Sequence, residues 1–326
     1  MAWFLLLFYQ TGFMKNVGML QILSMLLLLT AGSCNDHKKQ DHMETNTKAT
    51  VGGVKPEGLQ QSATHVRSKD GTRIVFSKTG AGPAIIIVNG ALSYRAVYDD
   101  SSLMSALSKT FTIYTYDRRG RGESSDTRPY HVDREIEDLE ALIEDAGGSA
   151  RIYGSSSGAA LSLLAAARLG KAKVPQLVLY EPPYVSVSEK DKQHFTEQGK
   201  RIVELVSKGN RGDAISFHFA AIGTPPEALE KLRRSPEWPL MESVEPTLAY
   251  DYAILDDGAI PVDAAKKIAM PALVMSGEKS VDVMGEAAKK LAGIMPDAQW
   301  KTLKGQAHQP SPEILATALK EFFKQD

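Results

Sequence analysis

One cysteine, Cys34, stands in 326 residues. An intrachain disulfide, a cysteine zinc cluster and an iron–sulfur site all need more than one thiolate, so all are excluded. Charge of either sign is equally scarce in excess. The 38 Lys and Arg against 39 Asp and Glu leave a formal net charge of −1. Nucleic acid needs a concentrated basic footprint, so it is not an expected partner. No segment repeats at a spacing of roughly 20–50 residues, which argues against solenoids and propellers. The chain is not short of apolar residues. At 43% hydrophobic and 24% charged it can bury a sizeable core, and wholesale disorder is excluded. Seven histidines remain available for chemistry.

The first 33 residues carry one charge, Lys15. The apolar run Val17–Leu29 follows it and is shorter than the roughly 20 residues a membrane-crossing helix needs, but suits the core of an export signal. Small residues Ala31, Gly32 and Ser33 then lead into Cys34. This order resembles a bacterial lipoprotein signal, although Ala31 stands where Leu or Val is usual. The resemblance implies that Cys34 is lipidated and begins the mature protein, tethered to a membrane of the bacterial cell envelope. Two other readings are an ordinary cleaved signal and an uncleaved anchor over 2–30, and all three send the remainder out of the cytoplasm. Met14 is an alternative start. Residues 34–60 hold no aromatics and few aliphatics, so they read as a disordered tether, with His37 and His42 solvated.

From residue 61 to 326 strand-like runs alternate with helix-like ones. Strands are expected at 63–67, 73–78, 84–89, 112–116, 151–153, 176–180, 271–276 and 299–303. The run Ala84-Ile-Ile-Ile-Val88 is continuously apolar, as in a strand covered on both faces. A helix from Val132 carries Ile136, Leu139, Leu142 and Ile143 at 3–4 spacing and stops at Gly147-Gly148. Further helices are expected at 159–169, 284–294 and 312–323. This pattern predicts an α/β fold, a mostly parallel sheet with helices on both faces. Residues 184–255 break the alternation. They are helical in composition, with Phe195, Phe217, Phe219, Trp238, Tyr250 and Tyr252, and are expected to form an inserted cap over the strands' C-terminal edge.

Within Gly154-Ser155-Ser156-Ser157-Gly158 the glycines single out Ser156. A sharp strand-to-helix turn thrusts its central side chain out of the sheet and crowds the positions two before and two after it. The helix that follows also offers N–H groups and positive dipole to a developing anion. His308 lies between the last strand and the final helix, and an imidazole can take a serine proton and return it. His65, His131, His194 and His218 match no such position.

These motifs, in this order over 61–326, resemble the α/β-hydrolase family, a family of serine hydrolases among others. Ile87-Val-Asn-Gly-Ala91 is similar to the family's strand-end loop, with Asn89 where His is usual. The resemblance implies oxyanion donors at the backbone N–H of Ala91 and of Ser157. Asp117–Ser124 matches the family's D-x-R-G-x-G-x-S loop, a structural turn; its arginines are poor evidence of a phosphate grip on a neutral protein. The third catalytic group departs from the commonest pattern. Gly-x-x-Asp reads Gly277-Glu-Lys-Ser280 here, and serine has no carboxylate. Glu181, at the end of the preceding core strand, is the favoured replacement, with Asp282 second and Glu278 close but mis-spaced.

The resemblance implies a carboxylic ester hydrolase acting on a small substrate, without metal or nucleotide cofactor, and the aromatics of 184–255 suggest that its acyl or alcohol group is mostly apolar. An envelope-tethered binding protein on the same scaffold and an acyltransferase are the alternatives.

Overall fold

The computed structural model describes residues 64–95 and 101–324. The expected signal, Cys34 and the tether at 34–60 lie outside the described residues. Eight strands form one sheet in the order β1-β2-β4-β3-β5-β6-β7-β8. They are β1 (Thr64–Arg67), β2 (Arg73–Thr79), β3 (Ala84–Val88), β4 (Thr112–Tyr116), β5 (Arg151–Ser155), β6 (Leu177–Tyr180), β7 (Ala272–Gly277) and β8 (Ala298–Leu303). β1 and β2 run antiparallel; from β4 through β8 every pairing is parallel.

The apolar run of β3 explains its central place. Ile85 and Ile87 enter one core cluster, Ile86 and Val88 the other, as the period of two along a strand requires. The first cluster is closed by α1 (Ser101–Leu107) and α11 (Pro312–Phe323). The second is closed by α2 (Val132–Asp145), α3 (Ser157–Leu169) and α10 (Asp282–Ile294). Helices therefore cover both faces. The short, serine-rich α1 was not expected from the sequence, and α3 begins at Ser157, directly after the bend, rather than at Ala159.

The chain leaves β3 toward β4 on one side, then crosses to β5 on the other. The order of strands reverses there, and the loops after β3 and β5 face one another across the crevice where ligands bind in such sheets.

Between β6 and β7 the chain forms α4 (Glu189–Lys208), α5 (Asp213–Ala221), α6 (Pro226–Arg233), α7 (Trp238–Val244), α8 (Leu248–Leu255) and α9 (Val262–Ala265). α4 opens with a reciprocal capping box between Ser188 and Asp191 and closes on left-handed Gly209. Phe195, Phe217, Phe219, Trp238 and Tyr252 belong to or pack on one apolar cluster, which reaches Ala91, Leu92 and Tyr94 of the loop after β3. Tyr250 has another use. It stacks on Tyr130 at 3.7 Å between ring centroids, and its hydroxyl donates to Asp126 at 2.7 Å, fastening the inserted block to the segment before α2.

Candidate active site

Ser156 sits between β5 and α3 with φ 55° and ψ −129°. A left-handed conformation is costly for a residue with a β-carbon, so its surroundings must hold it. Its N–H donates to the Tyr180 carbonyl at 2.9 Å, and its own carbonyl accepts from Ala159 N–H at 2.9 Å. Both flanking glycines are required. A β-carbon on Gly154 would lie 2.4 Å from Ser162 Oγ, and one on Gly158 would lie 2.2 Å from the Val88 carbonyl oxygen. Gly90 closes the other side, where a β-carbon would lie 2.9 Å from that of Ser156. The loop after β3 therefore abuts the serine.

Of the described non-glycine residues, Leu92, Ser156, Glu181 and Asp256 have positive φ. The first three follow β3, β5 and β6 at the same end of the sheet, and backbone strain of this kind collects where side chains must be aimed.

Glu181 is fully buried, and both its carboxylate oxygens are used. Oε1 accepts from Gly277 N–H at 2.7 Å and Oε2 meets His308 Nδ1 at 2.6 Å. An ionised carboxylate only accepts, so this pairing puts a proton on Nδ1 and leaves Nε2 as the basic nitrogen. The loop bearing His308 is fixed from two sides. Tyr180 Oη donates to the Ala307 carbonyl, and Lys279 N–H donates to the Gln306 carbonyl at 2.7 Å. Tyr180 and Glu181 thus connect Ser156 to His308 through consecutive residues. The other two acidic candidates lie apart from the imidazole in use. Glu278 is exposed and accepts from Gly305 N–H at 2.8 Å, and Asp282 is exposed at the start of α10.

The loop 117–124 is a turn, as expected. The Asp117 carboxylate accepts from Arg95 and Glu123 N–H groups at 2.8 and 3.0 Å, and Ser124 Oγ donates to the Asp117 carbonyl at 2.6 Å. Its arginines point inward. Arg119 pairs with Asp138 and Asp70, binding the turn to α2 and the β1–β2 turn. Arg118 makes a two-pronged bond to Glu135 at 2.7 and 2.8 Å and reaches Asp251 Oδ1 at 2.8 Å. Arg121 reaches Asp251 Oδ2 at 2.7 Å, the Gly90 carbonyl at 2.6 Å and Thr247 Oγ1 at 3.0 Å. Ser157 Oγ donates to Asp251 Oδ1 at 2.8 Å. Burial raises the affinity of the Asp251 carboxyl for protons, yet Arg121 and Arg118 outweigh it and hold the pKa below the ordinary value. Burial, then repulsion from Arg118, pull Arg121 below its own ordinary value.

Nothing in the sequence pointed to Asp251. It lies between two aromatic residues on a helix far along the chain, and only folding delivers it to the arginines.

His65 and His194 are exposed, and His131 caps α2 by accepting from Asp133 N–H. His218 lies in the inserted block, 3.3 Å from Tyr252 Oη through Nδ1, and burial pulls its pKa down to about 4. It is therefore neutral at physiological pH.

The family model described as "Alpha/beta hydrolase family" matches residues 85–318. An alpha/beta hydrolase from Sphaerobacter thermophilus has a similar structure, with 42% identity and a TM-score of 0.72, over 80% of this chain and all of that one. A thermophilic esterase from Thermogutta terrifontis shares the fold at 20% identity and TM-score 0.61, over 81% and 98% of the two chains. An uncharacterized hydrolase of Bacillus subtilis, YraK, is 26% identical over 45% of this chain; the match spans about half (54%) of that relative. The family match runs from β3 to α11 and takes in every residue of the site, and the Sphaerobacter protein is matched over its whole length: the chain belongs to the alpha/beta hydrolase family.

Proposed function

We propose that the protein is a serine hydrolase that cleaves a small, mostly apolar carboxylic ester or related acyl substrate through an acyl-enzyme. The observation that carries this reading is the strained Ser156, whose N–H is held by Tyr180, the residue before the buried Glu181 that bonds half-buried His308.

Ser156 Oγ attacks the substrate carbonyl carbon while His308 Nε2 takes the hydroxyl proton. Glu181 stabilises the imidazolium and keeps the ring aimed. The Ala91 and Ser157 N–H groups hold the oxyanion, each typically worth about 3 kcal/mol. Collapse of this intermediate breaks the bond to the alcohol oxygen, which leaves with the proton from Nε2. Water then attacks the acyl-enzyme and gives a proton to Nε2; collapse breaks the bond to Ser156 Oγ, which takes that proton back, and the acid is released. The aromatic cluster that borders Ala91 and Leu92 supports an apolar acyl or alcohol group.

A fluorophosphonate probe tests the reading. Labelling is expected in the wild type and is lost in Ser156→Ala; a folded wild type that takes no label points instead to a binding protein on this scaffold. A panel of p-nitrophenyl esters of rising acyl length then defines the substrate. The Lys15–Cys34 pattern supports export and lipid attachment, so Cys34→Ser should move the protein from the membrane fraction to the soluble one.

A further inference from the structure

We propose that Asp251 is a positioning residue for the oxyanion: one carboxylate, supplied by the inserted helical block, orients both backbone N–H groups that bind it. The proposal rests on the serine-hydrolase reading and deepens it.

The first N–H belongs to the peptide between Gly90 and Ala91. In a trans peptide the carbonyl and the N–H point in opposite directions within one plane, so fixing one fixes the other. Arg121 Nη1 holds the Gly90 carbonyl at 2.6 Å. Accepting that bond also polarises the amide and makes the Ala91 N–H a stronger donor. Arg121 is itself held by Asp251 Oδ2 through Nη2 and by Thr247 through Nε. The second N–H is that of Ser157, whose side chain is tied to Asp251 Oδ1 at 2.8 Å. Arg118 donates to the same oxygen, and its other prongs are locked on Glu135.

All these groups are buried, with Asp251 at 2%, Arg121 at 1% and Ser157 at 2% exposure. Two arginines face two carboxylates, so the set is balanced as a whole. Asp251 and Thr247 both belong to the inserted block. The sheet and its turn supply the donors, and the block supplies the group that aims them. A carboxylate that served only to join the block to the sheet would not need to reach both segments that bear the oxyanion donors.

Electrostatics alone and positioning predict opposite signs. Removing a negative charge near the oxyanion should strengthen anion binding if only net charge matters. If Asp251 positions the donors, its removal weakens anion binding.

The test measures p-nitrophenyl acetate turnover and inhibition by an alkyl trifluoromethyl ketone, which forms a tetrahedral oxyanion adduct on a serine. Wild type, Asp251→Asn, Ser157→Ala and Ser156→Ala are compared as full chains, with thermal unfolding as the folding control. Asp251→Asn should lower kcat by about 100-fold with KM within a few-fold, and raise the ketone inhibition constant by a similar factor. Ser157→Ala should shift both in the same direction by about tenfold, because it breaks one tie and leaves the arginines paired. A folded Asp251→Asn whose ketone affinity is unchanged or higher overturns the proposal. If Asp251→Asn fails to fold, Ser157→Ala decides, and an unchanged ketone affinity there overturns it. Equal turnover by wild type and Ser156→Ala overturns the serine-hydrolase reading, and this proposal with it. Ser156-dependent turnover that Asp251→Asn leaves at wild-type level overturns this proposal alone.

Discussion

The two buried carboxylates near Ser156, Glu181 and Asp251, serve opposite kinds of partner. Glu181 faces the imidazole of His308 and a backbone N–H. Asp251 faces two guanidinium groups that never lose their charge, and a hydroxyl. On the histidine flank the carboxylate meets a ring that can carry a proton on either nitrogen. On the arginine flank two guanidinium groups meet two carboxylates, Glu135 and Asp251. In the proposed mechanism the first flank moves a proton and the second holds shape. The difference teaches that burial alone does not mark a reacting carboxylate; the acid–base character of its partner does.

Five substitutions break or sharpen that contrast, beside those at Asp251 and Ser157. The largest effect is expected on the histidine flank: Ser156→Ala or His308→Ala should each lower ester turnover by a factor on the order of 10⁶, measured under single-turnover conditions. Next comes the acid. Glu181→Gln should lower kcat by roughly 10⁴, whereas Asp282→Asn should stay within about twofold. A crippled Asp282→Asn beside an active Glu181→Gln would reverse the assignment of the acid.

The smallest effect concerns stability rather than catalysis. His218 stays neutral in the folded chain until about pH 4, while an unfolded histidine takes its proton near 6.5. Between those values the unfolded state binds more protons, so stability is full above pH 6.5 and is lost as pH falls toward 4. The loss should approach about 2–3 kcal/mol at pH 4.5 in urea unfolding. His218→Gln should remove most of that slope. Tyr252 is its direct partner, and the Asp251 charge acts on it only weakly by comparison with burial.

Much of the sheet was legible because local pattern and burial agree. β3 is apolar throughout and buried on both faces, and α2 shows its core positions at helical spacing. The edge strand β8 was harder, since four of its six residues are exposed. α1 was missed because seven residues with three serines give no helical period. At the site, the glycines flanking Ser156 carried their meaning locally, as a need for space. The choice between Glu181 and Asp282 depends on how far two loops reach, which spacing alone does not encode. The Asp251 cluster was invisible for the same reason at longer range. Arg118 and Asp251 are separated by 133 positions, and each alone reads as an ordinary charged residue.

The close approach of Gly158 to the end of β3 has a practical consequence for altering substrate preference. With backbone oxygens of residues 88 and 89 where any added carbon would go, the floor beneath the reacting atoms has no slack. Directed evolution should therefore find its tolerated diversity in the inserted block, among residues such as Phe217 and Phe219 of the cluster that reaches Ala91 and Leu92. Libraries aimed at 88–91 or 154–158 should return mostly inactive clones.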